Sequence, residues 1–204
     1  MAKQNERKAY HRFFEDYAEI QTSNAKGKTV VQRIYVGHYY RVDLPDDAHQ
    51  KRKIALLLLF IAALALCLYG GLTAPASGAR LTALMTMLSL LMLVLLGAAI
   101  FYRLTAPREM EKRVYRDSSD RLKALGVLST LGLFATALGV LVTALANERY
   151  RFSDNAPGIL TFALGGGCAL WLTLLERRTR YIELPPKHQR PEGGAPTQQE
   201  TPNE

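Results

Sequence analysis

The chain has 204 residues, a net charge of +8 and a mean hydropathy of -0.03, but its apolar and charged residues lie in separate blocks. A globular core does not need long blocks without charge, so this segregation disfavours an ordinary soluble protein. The basic excess is divided among several connectors, none of them strongly basic overall, which disfavours a nucleic-acid-binding protein.

Residues 1–53 are mostly polar and charged, and two patterns in them predict local structure. Aromatic residues near the start are spaced three and four apart, as in a short amphipathic helix that lies on the membrane or packs on the next segment. Residues 29–44 alternate between apolar and polar side chains, as in a strand. With residues 18–23 and the turn residues between, they predict a cytoplasmic β-hairpin with Gly37-His38 as a bulge or second turn.

Four apolar blocks follow, and none of them contains Asp, Glu, Lys, Arg or His. At a helical rise of about 1.5 Å per residue they are roughly 27–35 Å long, which matches the hydrocarbon core of a bilayer. The chain is therefore predicted to be an all-α integral membrane protein with a four-helix transmembrane bundle over residues 54–175. The predicted spans are 54–73, 81–102, 124–146 and 158–175.

The basic residues predict the orientation of this bundle. Residues 1–53 hold 11 of the 26 Lys and Arg, 103–123 hold seven and 176–204 hold five, while three lie in the other two connectors. Basic connectors stay on the cytoplasmic side, so both termini of this multi-pass plasma (inner) membrane protein are predicted to be cytoplasmic. The basic helix ends would anchor the bundle at the interface, and they would also attract anionic lipid. The predicted anchors are Lys51, Arg52, Lys53, Arg103, Arg121, Lys123, Arg177, Arg178 and Arg180.

Small residues in the last two blocks predict close helix packing. In the third block they recur at intervals of four, three and four, which places them on one helical stripe. With a run of glycines in the fourth block opposite, the stripe predicts that the third and fourth helices touch, within one chain or between chains. The residues concerned are Gly132, Thr136, Gly139, Thr143, Gly165, Gly166 and Gly167.

The inner connector, residues 103–123, and the C-terminal segment, residues 176–204, differ in composition. Pro107 suits the first position of a helix, and Ser118 or Ser119 suits the cap of the third helix, so the connector is predicted to continue as helix. Beyond its first residues the C-terminal segment is rich in Pro, Gly, Gln and Glu without an apolar run. That composition predicts a mostly disordered cytoplasmic tail.

Motifs that carry chemistry are weak in this sequence. Gly27-Lys28-Thr29 resembles the end of a phosphate-binding loop, but Thr22 occupies the position of that pattern's first glycine, and a strand is predicted to follow. The four histidines are not paired with Cys, Asp or Glu at metal-ligand spacing. We therefore predict no catalytic residues, no metal, no cofactor and no enzymatic activity. The lack of ionisable residues inside the apolar blocks also disfavours ion-coupled transport.

These features favour an accessory, scaffold or assembly subunit that makes contacts through its cytoplasmic segment and its small-residue helix faces. Its expected partners are the lipid bilayer and either a second copy of the chain or another membrane protein, without nucleic acid. The alternative is an oligomeric channel or transporter component for an uncharged solute, with Ser and Thr hydroxyls lining the path.

Overall fold

The computed structural model describes residues 16–23 and 29–187, and four long helices make up most of them. Each helix is long and apolar enough to cross a membrane, which confirms the prediction of four such helices. Most of the predicted N-terminal helix, the hairpin turn and residues 188–204 lie outside the described residues. The helices are α1 Asp46–Thr73, α2 Arg80–Thr105, α3 Lys112–Ala146 and α4 Phe152–Arg177.

Within the described residues, five short strands form two sheets. β1 (Tyr17–Ser23) and β2 (Thr29–Tyr35) pair antiparallel in the first sheet. In the second sheet, β3 (Tyr39–Val42) lies between β4 (Glu109–Glu111) and β5 (Tyr181–Leu184), and both pairings are antiparallel. The second sheet therefore joins the N-terminal segment, the inner connector and the chain after α4 at one end of the bundle.

Three details of these segments differ from the sequence-based prediction. The hairpin is predicted to extend over residues 29–44 with a bulge or turn at Gly37-His38, but residues 39–42 pair with β4 and β5 and not with the hairpin. The inner connector does not continue as helix from Pro107, because residues 109–111 pair with β3 instead. The C-terminal segment begins with a strand, because residues 181–184 pair with the other edge of β3.

The helices extend past the predicted apolar blocks at their charged ends. α1 begins at Asp46. The preceding residue, Pro45, has an extended backbone, so it does not belong to the helix. Asp46 and Asp47 occupy its first turn, where carboxylates interact favourably with the positive end of the helix dipole. Charged residues can extend the helix at this end because they lie beyond the apolar span.

The four helices do not pack equally closely on one another. α4 packs extensively on both α1 and α3, and α3 also packs on α2, whereas α1 and α2 make a smaller contact. Gly158 of α4 allows one of the close approaches, since a Cβ atom there would stand 3.1 Å from the backbone oxygen of Gly70 and would also meet Ala74. Large side chains that fill the centre of the bundle with almost no exposed surface are Leu56, Leu93, Leu96, Leu133, Phe162 and Leu172.

At the end opposite the sheets, the connector between α1 and α2 folds back onto the bundle. Its short turn, Pro75–Gly78, is held by Asn155 of α4. Asn155 Oδ1 accepts a hydrogen bond from the backbone nitrogen of Ala76 at 2.8 Å, and its Nδ2 donates to the oxygen of Arg151 at 2.8 Å. Because the Asn155 side chain is fully buried, these bonds satisfy polar groups that water cannot reach.

Candidate functional site

Four polar side chains meet where the second sheet rests on the bundle, and together they are termed the basal cluster. Arg103 comes from the last turn of α2 and Glu176 from the last turn of α4. Ser119 lies near the start of α3, and Tyr181 is the first residue of β5. The cluster therefore joins the ends of α2 and α4 with the start of α3 and with β5.

The hydrogen bonds of the basal cluster converge on one carboxylate oxygen. Tyr181 donates its hydroxyl to Glu176 Oε1 at 2.6 Å, and Ser119 Oγ donates to the same oxygen at 2.8 Å. Arg103 Nε lies 3.4 Å from that oxygen, and Arg103 Nη2 donates to the Tyr181 hydroxyl at 3.1 Å. Arg103 is 3% exposed and Glu176 is 0% exposed, so the ion pair is shielded from water.

A local distortion of α3 places Ser119 in the basal cluster. Residues Arg116–Asp120 form a π-helical turn, a feature that often occurs at functional sites. Ser118 and Ser119, predicted to cap the third helix, are instead fully buried within this turn. Ser119 reaches Glu176, while Ser118 Oγ lies 3.6 Å from Met110 Sδ of β4.

Burial governs the electrostatics of the basal cluster. Burial, followed by the charge of the Glu176 carboxylate, raises the pKa of Tyr181 above its usual range, so its hydroxyl stays protonated and able to donate. Glu176 Oε2 and the Nε and Nη1 atoms of Arg103 are buried and have no hydrogen-bond partner among the described residues. Loss of either partner of a buried ion pair of this kind would leave an uncompensated charge.

Aromatic and apolar side chains cover the basal cluster on the side of the sheet. Tyr115 stacks on Tyr40 with ring centroids 4.7 Å apart and meets the edge of Tyr181 at 4.7 Å. Val42 and Met110 are almost completely buried beside them. The face of the second sheet that carries these side chains thus packs on the bundle and covers the ion pair on this side.

The hairpin is attached to the second sheet through two tyrosines at its base. Tyr17 donates its hydroxyl to Glu111 Oε2 at 2.5 Å, and burial with this bond raises the pKa of Tyr17 to about 12. The Tyr35 hydroxyl donates to the oxygen of His38 at 2.9 Å and accepts from the backbone nitrogen of Lys112 at 3.1 Å. Tyr35 is only 5% exposed, so the base of the hairpin is packed against the second sheet and the start of α3.

The predicted basic anchors differ in their surroundings. Arg103, at the end of α2, is buried and paired with Glu176 in the basal cluster instead of being exposed. Arg52 donates to Thr179 Oγ1 at 2.9 Å, and Lys53 donates to the oxygen of Leu104 at 2.8 Å. Lys123 is half-buried beside Asp120 and near the rings of Tyr115 and Tyr181. The exposed anchors are Lys51, Arg121, Arg177, Arg178 and Arg180.

The small-residue stripe of α3 lies against α2, not against the glycines of α4 as predicted. Gly132 faces Ser89 of α2, and Gly139 faces Thr82 and Met85 of the same helix. Thr136 belongs to this contact as well, with its hydroxyl 2.8 Å from Ser89 Oγ. Thr143, the last residue of the stripe, is half-buried and bonds to its own helix.

α3 and α4 do touch, but through other residues of α3. Gly166 faces the ring of Phe134, whereas Gly165 lies nearest Ala63 and Leu66 of α1, with Leu133 of α3 slightly farther away. Gly167 has open space where a Cβ would stand, so it is not a contact residue. One helix has two packing faces, and the spacing of its small residues does not show which neighbour each face meets.

In the part of the chain that the structure describes, no three His, Cys, Asp or Glu side chains group together as metal ligands. The chemistry that the basal cluster offers is ion pairing and hydrogen bonding. Comparison with protein-family models, with curated proteins and with solved structures finds no match to this chain.

Proposed function

We propose that this protein is an accessory, scaffold or assembly subunit of the plasma membrane, with both termini in the cytoplasm, that offers its N-terminal hairpin to a partner. The observation that carries this proposal is that the hairpin is attached to the second sheet. That sheet is built from the N-terminal segment, the inner connector and the chain after α4, and the basal cluster joins it to the bundle.

The geometry of the hairpin supports a contact role. β1 and β2 pair from Tyr17 opposite Tyr35, at the base that contacts the second sheet, to Ser23 opposite Thr29 at the other end. At about 3.3 Å per residue, six residue steps carry the far end roughly 20 Å from the base. Among the strands that the structure describes, β1 and β2 pair only with each other. Strand edges of this kind can accept a strand from another chain.

The hydroxyl groups of the bundle favour a contact protein over the alternative of a solute path. Thr130, Thr136 and Thr143 each donate to a backbone oxygen four residues earlier in α3, at 2.8–2.9 Å. A hydroxyl bonded to its own helix is less available to a passing solute. The alternative, an oligomeric channel or transporter component for an uncharged solute, would be supported by solute flux into proteoliposomes of the purified protein.

The test of the proposed function is capture of the full chain from native membranes in a gentle detergent, followed by size and composition analysis. We expect a stoichiometric companion, either another membrane protein or a second copy of the chain. Glu111→Ala removes the acceptor of the Tyr17 hydroxyl, a charge-assisted bond of about 1.5–3 kcal/mol, and should reduce the captured companion about tenfold or more.

The matched control is Glu183→Ala. Glu183 also belongs to the second sheet, and its carboxylate contacts His38 and Tyr40 near the surface. This variant should retain the companion at the wild-type level. Recovery of the wild-type chain as a monomer alone would contradict the proposed function, and equal loss in both variants would contradict the role of the hairpin.

A further inference from the structure

We propose that the ends of α1 and α2 nearest the sheets form a binding site for the phosphate of an anionic phospholipid, in the leaflet on that side of the membrane. The site is defined by Lys53 and Arg103, with Arg108 beside them.

Lys53 and Arg103 both lie at the boundary between the apolar span and the polar end. Lys53 is followed at once by Ile54, which is 56% exposed and begins the outward face of α1. Arg103 directly follows Phe101 and Tyr102, which are exposed at the end of α2. The 2.8 Å bond from Lys53 Nζ to the oxygen of Leu104 holds the two helix ends together at this level. Lipid phosphates lie at such a boundary.

The charges at this place do not balance. Arg108 is paired with Asp46, and Arg103 is paired with Glu176. Lys53 has no carboxylate within 4.0 Å in the described part of the chain, and its bond to a carbonyl leaves its charge uncompensated. An external anion would neutralise this excess.

Arg103 supplies a second, independent observation. The side chain is 3% exposed, and its Nη1 has no hydrogen-bond partner among the described residues. Its Nη2 donates to Tyr181, and its Nε lies 3.4 Å from Glu176 Oε1 without a hydrogen bond, so Nη1 lies outside the edge that meets those groups. A buried guanidinium nitrogen requires an acceptor, and a phosphate oxygen would supply one directly or through a single bridging water.

The surroundings identify the phosphate as that of a lipid rather than a free ion. α1 and α2 make the smallest contact between sequential helices of the bundle in the described chain. Ile54, Leu57 and Leu58 are exposed on α1 just beyond Lys53. Acyl chains would cover this apolar surface while the headgroup met Lys53, whereas inorganic phosphate would gain nothing from it.

The test is native mass spectrometry of the full-length protein in detergent, with phosphatidylglycerol and phosphatidylcholine of identical acyl chains offered at equal concentration. At about 1 kcal/mol per basic residue, loss of one contact corresponds to about a fivefold change in retained lipid. We expect the wild type to retain phosphatidylglycerol preferentially and Lys53→Gln to lose about fivefold of that preference. Lys53→Arg, which keeps the charge, should retain it.

Lys51→Gln is the matched control, because Lys51 is an exposed cation two residues away on the same helix. It should bind as the wild type does. An equal loss in Lys51→Gln and Lys53→Gln would overturn the proposal in favour of diffuse surface attraction. Loss in Lys53→Arg, or displacement of the lipid by an equal concentration of inorganic phosphate, would also overturn it.

Discussion

Replacing Glu176 by leucine should destabilise the folded protein by about 3–5 kcal/mol, the cost of leaving one member of a buried ion pair without its partner. Glu176 is fully buried and accepts hydrogen bonds from Ser119 and Tyr181 while it faces Arg103. The measurement is the free energy of unfolding, or the thermal midpoint, of the purified protein in detergent.

The combined variant Arg103→Met with Glu176→Leu should recover a large part of the loss, because apolar groups of similar size can replace a buried ion pair at little cost. Arg177→Leu is the control, since Arg177 is exposed on the same helix turn and its loss should change stability by no more than about 0.5 kcal/mol. If Glu176→Leu behaved like Arg177→Leu, the basal cluster would not hold the sheet on the bundle.

Replacing either of two glycines of α4 by alanine adds one methyl group, and the two replacements should change stability in opposite directions. Gly158→Ala should destabilise by about 1–3 kcal/mol, because the new Cβ meets Ala74 and the backbone oxygen of Gly70, which cannot move aside as a flexible side chain can. Gly167→Ala should stabilise by about 0.5–1 kcal/mol, since its Cβ meets open space and alanine is the better helix former.

Both glycine variants change the same residue type on the same helix, so intrinsic helix propensity alone predicts stabilisation in both. Thermal midpoints in one detergent, measured side by side, separate the two effects. Stabilisation by Gly158→Ala would show that α4 does not approach α1 closely at this position.

The sequence predicts the four helices well because each apolar block is an independent local signal. A run of about 20 residues without charge can cross a bilayer whatever the rest of the chain does. The helix ends are less well predicted, as α1 begins at Asp46 rather than at Ile54. Charged residues past the boundary of the span are compatible with helix or with loop, and composition alone does not decide between them.

The second sheet cannot be predicted from the sequence, and the reason is a different one. β4 is three residues long, and β5 follows a helix without an intervening turn motif, so neither shows alternation over a useful length. Both are strands because β3 pairs with them, and that pairing joins residues far apart in the chain. Tertiary pairing of this kind overrides weak local preference.

The basal cluster escapes prediction for the same reason. Arg103 stands at the end of an apolar block and has the pattern of an ordinary interface anchor. Glu176 has the matching position at the end of α4, 73 residues away, and the ion pair exists only because α2 and α4 end beside each other. An acid directly after the last apolar block is the one signal that points to a partner, since lone carboxylates are seldom buried.

The most direct test of a four-span protein with its sheets in the cytoplasm is the reactivity of single cysteines placed at the two ends of α4. Ser153 is exposed at the start of α4, and Glu183 is exposed in β5 just after its end. In intact cells a membrane-impermeant thiol reagent should label Ser153→Cys and should label Glu183→Cys only after the membrane is permeabilised. The unsubstituted protein measures the background from Cys67 and Cys168. Labelling of Glu183→Cys but not Ser153→Cys in intact cells would reverse the orientation, and labelling of both would contradict a membrane-spanning α4.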